Sequence, residues 1–354
     1  MQKMAIVPDR MTMRDPISPP RCRFLGLLMV LIAGWCWGQN QWEDAEIETI
    51  MTDLLSRDPK FALLNERVVT PYDFGLDLFD LGKHEESLSW FYTLADVTGD
   101  NKAIYGLARI LWKTGDNHGS LKQGGYVLTR NPSPVMRART FYLMGSIEVD
   151  ERDFKGANRD LEESFEIYSS LKKTGGQYLA LAMMAWCAVI EGKFHKVDKL
   201  LRRARRFDEM SRNSYGPAFD YEVMAELYFR QKRYVSALNY AKKSHAENLE
   251  KGNSLEADLM LTKVALLLFL TGEPEQAGEV ADGLWKKYNK RPNYARLQAY
   301  NEVLLMALDR CAGLKRDADD REKAAQAWAD ASAGGAALKE LLDFVSAVPC
   351  PTWR

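Results

Sequence analysis

Residues 144–164 read MGSIEVDERDFKGANRDLEES, and 40 positions later residues 184–204 read MAWCAVIEGKFHKVDKLLRRA. Two further steps of 40 give MAELYFRQKRYVSALNYAKKS at 224–244 and VALLLFLTGEPEQAGEVADGL at 264–284. What repeats is side-chain size. Each segment opens on a large residue followed by a small one: Met144-Gly145, Met184-Ala185, Met224-Ala225 and Val264-Ala265. Slender residues return twelve positions on, at Ala157, Val197, Ala237 and Ala277. Four and seven residues beyond these stand Leu161, Leu201, Ala241, Ala281 and Ser164, Ala204, Ser244, Leu284. Steps of four and three are helical, so each segment predicts two helices joined by a short turn, with the small columns at their contact. A fixed period without gaps predicts a stack of such hairpins, in which each unit buries its apolar face on its neighbours.

Upstream, the same pattern continues at a shorter spacing. Phe74-Gly75, Leu78, Gly82, Ser87, Phe91 and Leu94 make one unit, and Leu107-Ala108, Leu111, Gly115, Ser120, Val127 and Pro132 make the next. The pattern resembles the tetratricopeptide repeat, large-x₂-large-small followed by a turn glycine and a second helix of small and aromatic positions. The resemblance implies an all-α, right-handed solenoid of helical hairpins with terminal capping helices. Six units are expected over 68–291, at about 68–101, 101–134, 138–171, 178–211, 218–251 and 258–291. In the later four, the longer period predicts longer second helices or connecting turns. Gly115, Gly192 and Gly272 suit the positive φ that ends a helix, and Pro132, Pro134, Pro217 and Pro292 fall between units. Over 292–354, Leu304, Leu305 and Leu308 keep the period, but Asp317 falls in the small column, which predicts a partial repeat and capping helices. Residues 39–67, with a helix near Trp42–Arg57, are expected to cap the other end.

The chain of 354 residues has 48 basic and 49 acidic side chains, a net charge of −1, which offers no field for a nucleic-acid partner. Residues 1–23 carry five basic residues, and Phe24–Trp37 is an uncharged run of the length of a secretory h-region, short of the roughly 20 residues that span a bilayer. The expectation is a signal peptide over 1–38, cut before Gln39, or else an uncleaved anchor, and hence a periplasmic or cell-envelope protein. Removal of its five basic and two acidic residues takes the net charge from −1 to −4. Cys187, Cys311 and Cys350 then remain, too few and too scattered for a disulfide scaffold; they are read as a buried Cys187 and two unremarkable thiols, with a Cys311–Cys350 bond as the alternative in an oxidising compartment.

No chemistry-bearing pattern emerges. His84, His118, His195 and His245 have no i, i+4 partner, no phosphate-cradling loop follows a strand, and Lys199–Arg206 reads as a solvated basic helix face. The reading assigns no catalytic residue, cofactor or metal. In the family it resembles, the first helix of each hairpin lines the concave side, and its second, fifth, ninth, twelfth and thirteenth positions meet ligands. Carried onto this sequence, those positions give Tyr105, Arg109, Trp112, Tyr142, Trp186 and Phe229 as partner-binding candidates, residue types enriched at binding hot spots. Phe269, Val149 and Val189 occupy the same columns. The Lys and Asn columns of the family's carboxylate clamp hold Tyr72 and Leu76, so a chaperone-tail adaptor is disfavoured. The expected function is a non-catalytic scaffold or assembly factor that binds an envelope protein or peptide in the groove. The alternative is a transport-accessory module with a small ligand in an axial apolar pocket.

Overall fold

The computed structural model describes residues 70–80, 83–211, 217–288, 295–331 and 335–350. The leader, the capping helix near Trp42–Arg57, Gly82 and Pro292 lie outside the described residues. Within them the chain is all-α, with fifteen helices packed pairwise in repeat fashion, a tetratricopeptide-like fold. The pairs are α1 (Pro71–Asp80) with α2 (His84–Thr98), α3 (Asn101–Lys113) with α4 (Asn117–Thr129), and α5 (Pro134–Asp150) with α6 (Phe154–Ser170). They continue as α7 (Thr174–Ile190) with α8 (Phe194–Glu209), α9 (Ala218–Arg230) with α10 (Tyr234–Glu250), and α11 (Ser254–Leu270) with α12 (Pro274–Tyr288). A seventh pair, α13 (Ala295–Cys311) and α14 (Lys315–Ala331), precedes a single helix α15 (Gly335–Ala347).

The size columns lie at the helix contacts. Gly145, Ala185, Ala225 and Ala265 are buried, as are all members of the Ala157 and Leu161 columns. The serines among them have a second role, since a buried hydroxyl needs a partner. Ser87 donates to the Gly75 carbonyl at 2.6 Å and Ser120 to that of Ala108 at 2.7 Å, across the hairpin. Ser164 and Ser244 donate to Ala138 and Ala218, each at 2.9 Å. Close approach exposes the carbonyl, and serine is the small residue that satisfies it.

The extra length of the 40-residue units enters the helices of a hairpin. α3 and α4 have 13 residues each, whereas α5, α6 and α7 have 17. In the third hairpin each helix gains about one turn, whereas in the fifth α9 keeps 13 residues and α10 alone lengthens to 17; the turns stay short because their geometry is fixed. Gly115, Gly192 and Gly272 adopt φ of 94°, 84° and 87°, the left-handed conformation expected of them. Arg152 and Lys232 hold the equivalent position at 64° and 59° without glycine. The next residue begins a helix: Asp116 accepts from the Gly119 amide at 2.8 Å and Asp153 from that of Gly156 at 3.0 Å, satisfying first-turn donors.

First helices touch first helices, α1 to α3, α3 to α5, α5 to α7, α7 to α9 and α11 to α13, so they form the inner layer of the stack. The seventh pair packs along its length, and its small column has moved one residue, from Asp317 to the buried Ala318. Cys311 and Cys350 are bonded, the alternative pairing, in place of two unremarkable thiols. The pairing arises because α14 and α15 fold back and return the chain to the end of α13, where Arg310 also donates to the Ser346 carbonyl at 3.2 Å. Spacing along the sequence carries no trace of that return. Cys187 is buried and free.

Candidate functional site

The inner faces of α3, α5, α7, α9 and α11 surround one cavity of about 1570 Å³, with α13 and α15 contributing Tyr300, Leu304 and Leu341. All six candidates from the sequence, Tyr105, Arg109, Trp112, Tyr142, Trp186 and Phe229, line it. They come from four successive hairpins. Helical spacing places 105, 109 and 112 on one face of α3, and the stacking of first helices then sets Tyr142, Trp186 and Phe229 around the same space.

Three of the polar side chains are held in place. The Arg109 guanidinium donates to the Tyr72 hydroxyl at 3.3 Å, and the Trp112 indole N–H donates to Asp150 Oδ2 at 3.1 Å. Lys113, beside Trp112 and 5.4 Å from its ring centre, reaches Glu256 of α11 at 3.5 Å. On the facing wall Lys263 pairs with Glu226, and Arg230 holds the other oxygen of Glu226 at 2.7 Å. Burial pushes the Glu226 carboxyl up, but the two cations outweigh it and hold the group below its ordinary value. The Lys263 ammonium also lies 5.7 Å from the Trp186 ring and 5.9 Å from that of Phe229, within cation–π range. Glu222, one turn before Glu226, has no hydrogen-bond or ion-pair partner among the described residues; burial, with Glu226 and Glu256 nearby, raises its pKa against the pull of Lys263 and Lys113. Tyr105 is almost fully covered and its phenol is likewise raised by burial.

Not every expected column faces the cavity. Val149, Val189 and Phe269 share the twelfth position with Trp112 and Phe229 but are buried in the core, at 1%, 0% and 1% exposure. Phe269 packs with Val264, Ala277 and Val303, where the sixth and seventh hairpins meet. Phe229 instead meets Phe344 of α15 edge to face, 5.2 Å between centres, at the rim. Asp150 also lines the site; the sequence reading did not name it, although it holds the same thirteenth position as Lys113. Lys263 was not legible, because the sixth position of a first helix carries no size pattern. The α15 contribution had no local signal at all.

No protein-family model matches the chain, and no curated protein matches it. Its fold is similar to that of solved structures, among them the crystal structure of a Rap protein complexed with competence and sporulation factor. The two share 11% sequence identity, with a TM-score of 0.50 over 85% of this chain and 97% of that one. At that identity the likeness is one of fold.

Proposed function

We propose that this chain is a non-catalytic binding protein that seats a peptide, or an extended segment of another protein, in the concave cavity. The observation that carries the reading is the convergence of Tyr105, Arg109, Trp112, Tyr142, Trp186 and Phe229 on one space of about 1570 Å³. Aromatic and arginine side chains in a concave seat are the residues that dominate binding energy. That volume exceeds the roughly 300–1000 Å³ of small-molecule pockets, and the charged lining weighs against an apolar small ligand. The Rap structure, in complex with competence and sporulation factor, supports the reading as a similar fold caught with a bound partner.

The reading extends to an envelope scaffold or assembly factor, exported by the leader at 1–38. The Cys311–Cys350 bond supports export, because disulfides persist in oxidising compartments. N-terminal sequencing of the native protein is expected to begin at or near Gln39; an intact leader in the membrane fraction would favour the anchor.

A photo-crosslinking amino acid at Tyr142, inside the cavity, should capture the partner. The same group at Tyr126, which is 41% exposed on second helix α4, should not. Crosslinks from 126 alone would move the interface to the outer face and overturn the reading.

A further inference from the structure

The cavity has two electrostatic neighbourhoods. One gathers around the start of α3, where Lys102, Arg139, Lys172 and Lys173 line the space and none makes an ion pair among the described residues. Lys102 lies 4.6 Å from the centre of the Tyr72 ring, and Asp73, which follows Tyr72 and lines the same space, accepts from the Thr70 hydroxyl at 2.6 Å. Tyr105 sits in the field of both Arg109 and Arg139, which ties the α3 and α5 cations to one place.

The second gathers around Glu222. Its neighbours Glu226, Glu256, Lys263 and Lys113 are engaged with one another: Glu226 with Lys263 and Arg230, and Glu256 with Lys113. Glu222 is the carboxylate left over, partly covered and facing the cavity. A partly covered carboxylate that no protein donor engages offers a seat to an incoming cation.

Lys102 marks the first neighbourhood and Lys113 the second, eleven residues apart on one helix and therefore about 16 Å apart along its axis. An extended peptide covers that distance in about five residues at roughly 3.3 Å each. We propose that the cavity takes a peptide of segregated charge, its cationic side chain on Glu222 and its anionic side chain, about five residues away, among Lys102, Arg139 and Lys173. The rings of Trp112 and Trp186 supply apolar contact to the residues between. Opposite charges at the two ends select the ligand more than they strengthen it. The inference rests on the cavity being a peptide seat, and it adds the charge pattern that the seat reads.

The test uses synthetic decapeptides with blocked termini and a fluorescent label, titrated against the full chain by anisotropy. One probe carries Lys and Glu five residues apart with Leu and Phe between; the controls carry Lys at both positions, or Glu at both. The mixed probe is expected to bind at least ten-fold tighter than either control. Glu222→Gln should cut its affinity several-fold and abolish its advantage over the double-Glu control, and Arg139→Gln should abolish the advantage over double-Lys. Circular dichroism confirms that both variants fold, and the isosteric Glu222→Gln serves should Arg139→Gln not. Equal binding of all three probes overturns charge selection and leaves the peptide seat standing. Binding of none below millimolar overturns the inference, and the crosslinks from position 142 then decide the seat by themselves.

Discussion

Arg152 and Glu340, 188 positions apart in the chain, form a two-pronged ion pair, Nε to Oε1 at 3.0 Å and Nη2 to Oε2 at 2.7 Å. Arg152 belongs to the turn of the third hairpin and Glu340 to α15, so the pair joins the middle of the stack to its end. Arg230, at the end of α9, approaches the same carboxylate at 3.4 Å. Lys113 and Glu256 make a comparable join between the second and sixth hairpins. The superhelix thus winds far enough for its second and third hairpins to reach the sixth hairpin and α15 across the cavity, and α15 lies along the rim.

Because Glu340 is half exposed, the pair contributes little to global stability, on the order of 0–1 kcal/mol. Glu340→Ala is expected to leave the melting temperature almost unchanged while speeding amide exchange in α15, which the Cys311–Cys350 bond still tethers. Exchange that stayed unaltered in α15 would show that Phe229 and Phe344 hold the rim without the charges.

Glycines of the early hairpins should respond to substitution with opposite signs. A Cβ on Gly106 would stand 2.2 Å from Phe91 Cε1, and Phe91 is fully buried, so it has no room to yield. Gly106→Ala should destabilise by about 1–3 kcal/mol, more than the ~1 kcal/mol that alanine returns in helix propensity. Gly125, also helical, has nothing within 4 Å of that position, and Gly125→Ala should stabilise by about 0.5–1 kcal/mol. Chemical denaturation of both variants checks the pair.

Gly106 also shows where the sequence was silent. Gly75, Gly145 and Ala185 were legible because their small size recurs at a fixed period and marks the contact within each hairpin. Gly106 has no counterpart in the other units; it answers to Phe91 alone. Turn glycines were legible at 115, 192 and 272, but Arg152 and Lys232 take the same left-handed conformation, imposed by the helices on either side rather than by residue type. The six lining residues followed from position within the first helix. Whether a twelfth-position side chain such as Phe229 or Phe269 faces the cavity or the core depends on what covers it, and that is decided by winding over the whole stack. The joins at Arg152–Glu340 and Cys311–Cys350 are of the same kind, long-range contacts without a local pattern.

Glu148, near the end of α5, should make stability depend on pH. Burial raises its pKa from an ordinary 4.5 to about 7, with Asp160 and Asp153 adding to the rise and Arg159, 3.6 Å away and largely in solvent, opposing it. Glu148 Oε2 and Asp160 Oδ2 are buried and accept no hydrogen bond. A raised value in the folded state means that folding favours the protonated form. The stability that this proton brings is fully present below about 4.5 and is lost as pH rises through about 7. Glu148→Gln should therefore melt higher than the wild type at pH ~8, with the advantage gone by pH ~4.5. A difference in melting temperature that did not change with pH would place the effect in packing instead.

Arg109 and Trp112 test whether the α3 face is where a partner rests. Trp112 packs on Ile104, Tyr105 and Leu143 while its indole N–H is held by Asp150, so truncation to alanine would damage the core and the cavity wall together. Trp112→Phe keeps most of the ring and removes the N–H, and it should cost no more than about 1–2 kcal/mol in stability. Arg109 is partly exposed and bonded to Tyr72, so Arg109→Ala removes a cation and a donor from the wall without opening the core. If this face is the seat, Arg109→Ala should weaken partner binding by roughly 1–3 kcal/mol, the range for truncating a hot spot, with little change in melting temperature. Trp112→Phe should weaken it less, because the apolar surface remains. Affinity and melting temperature measured on the same two proteins separate contact from stability. Full affinity in both, beside crosslinks from position 142, would move the seat along the cavity toward α9 and α11, onto the wall that carries Glu222 and Phe229.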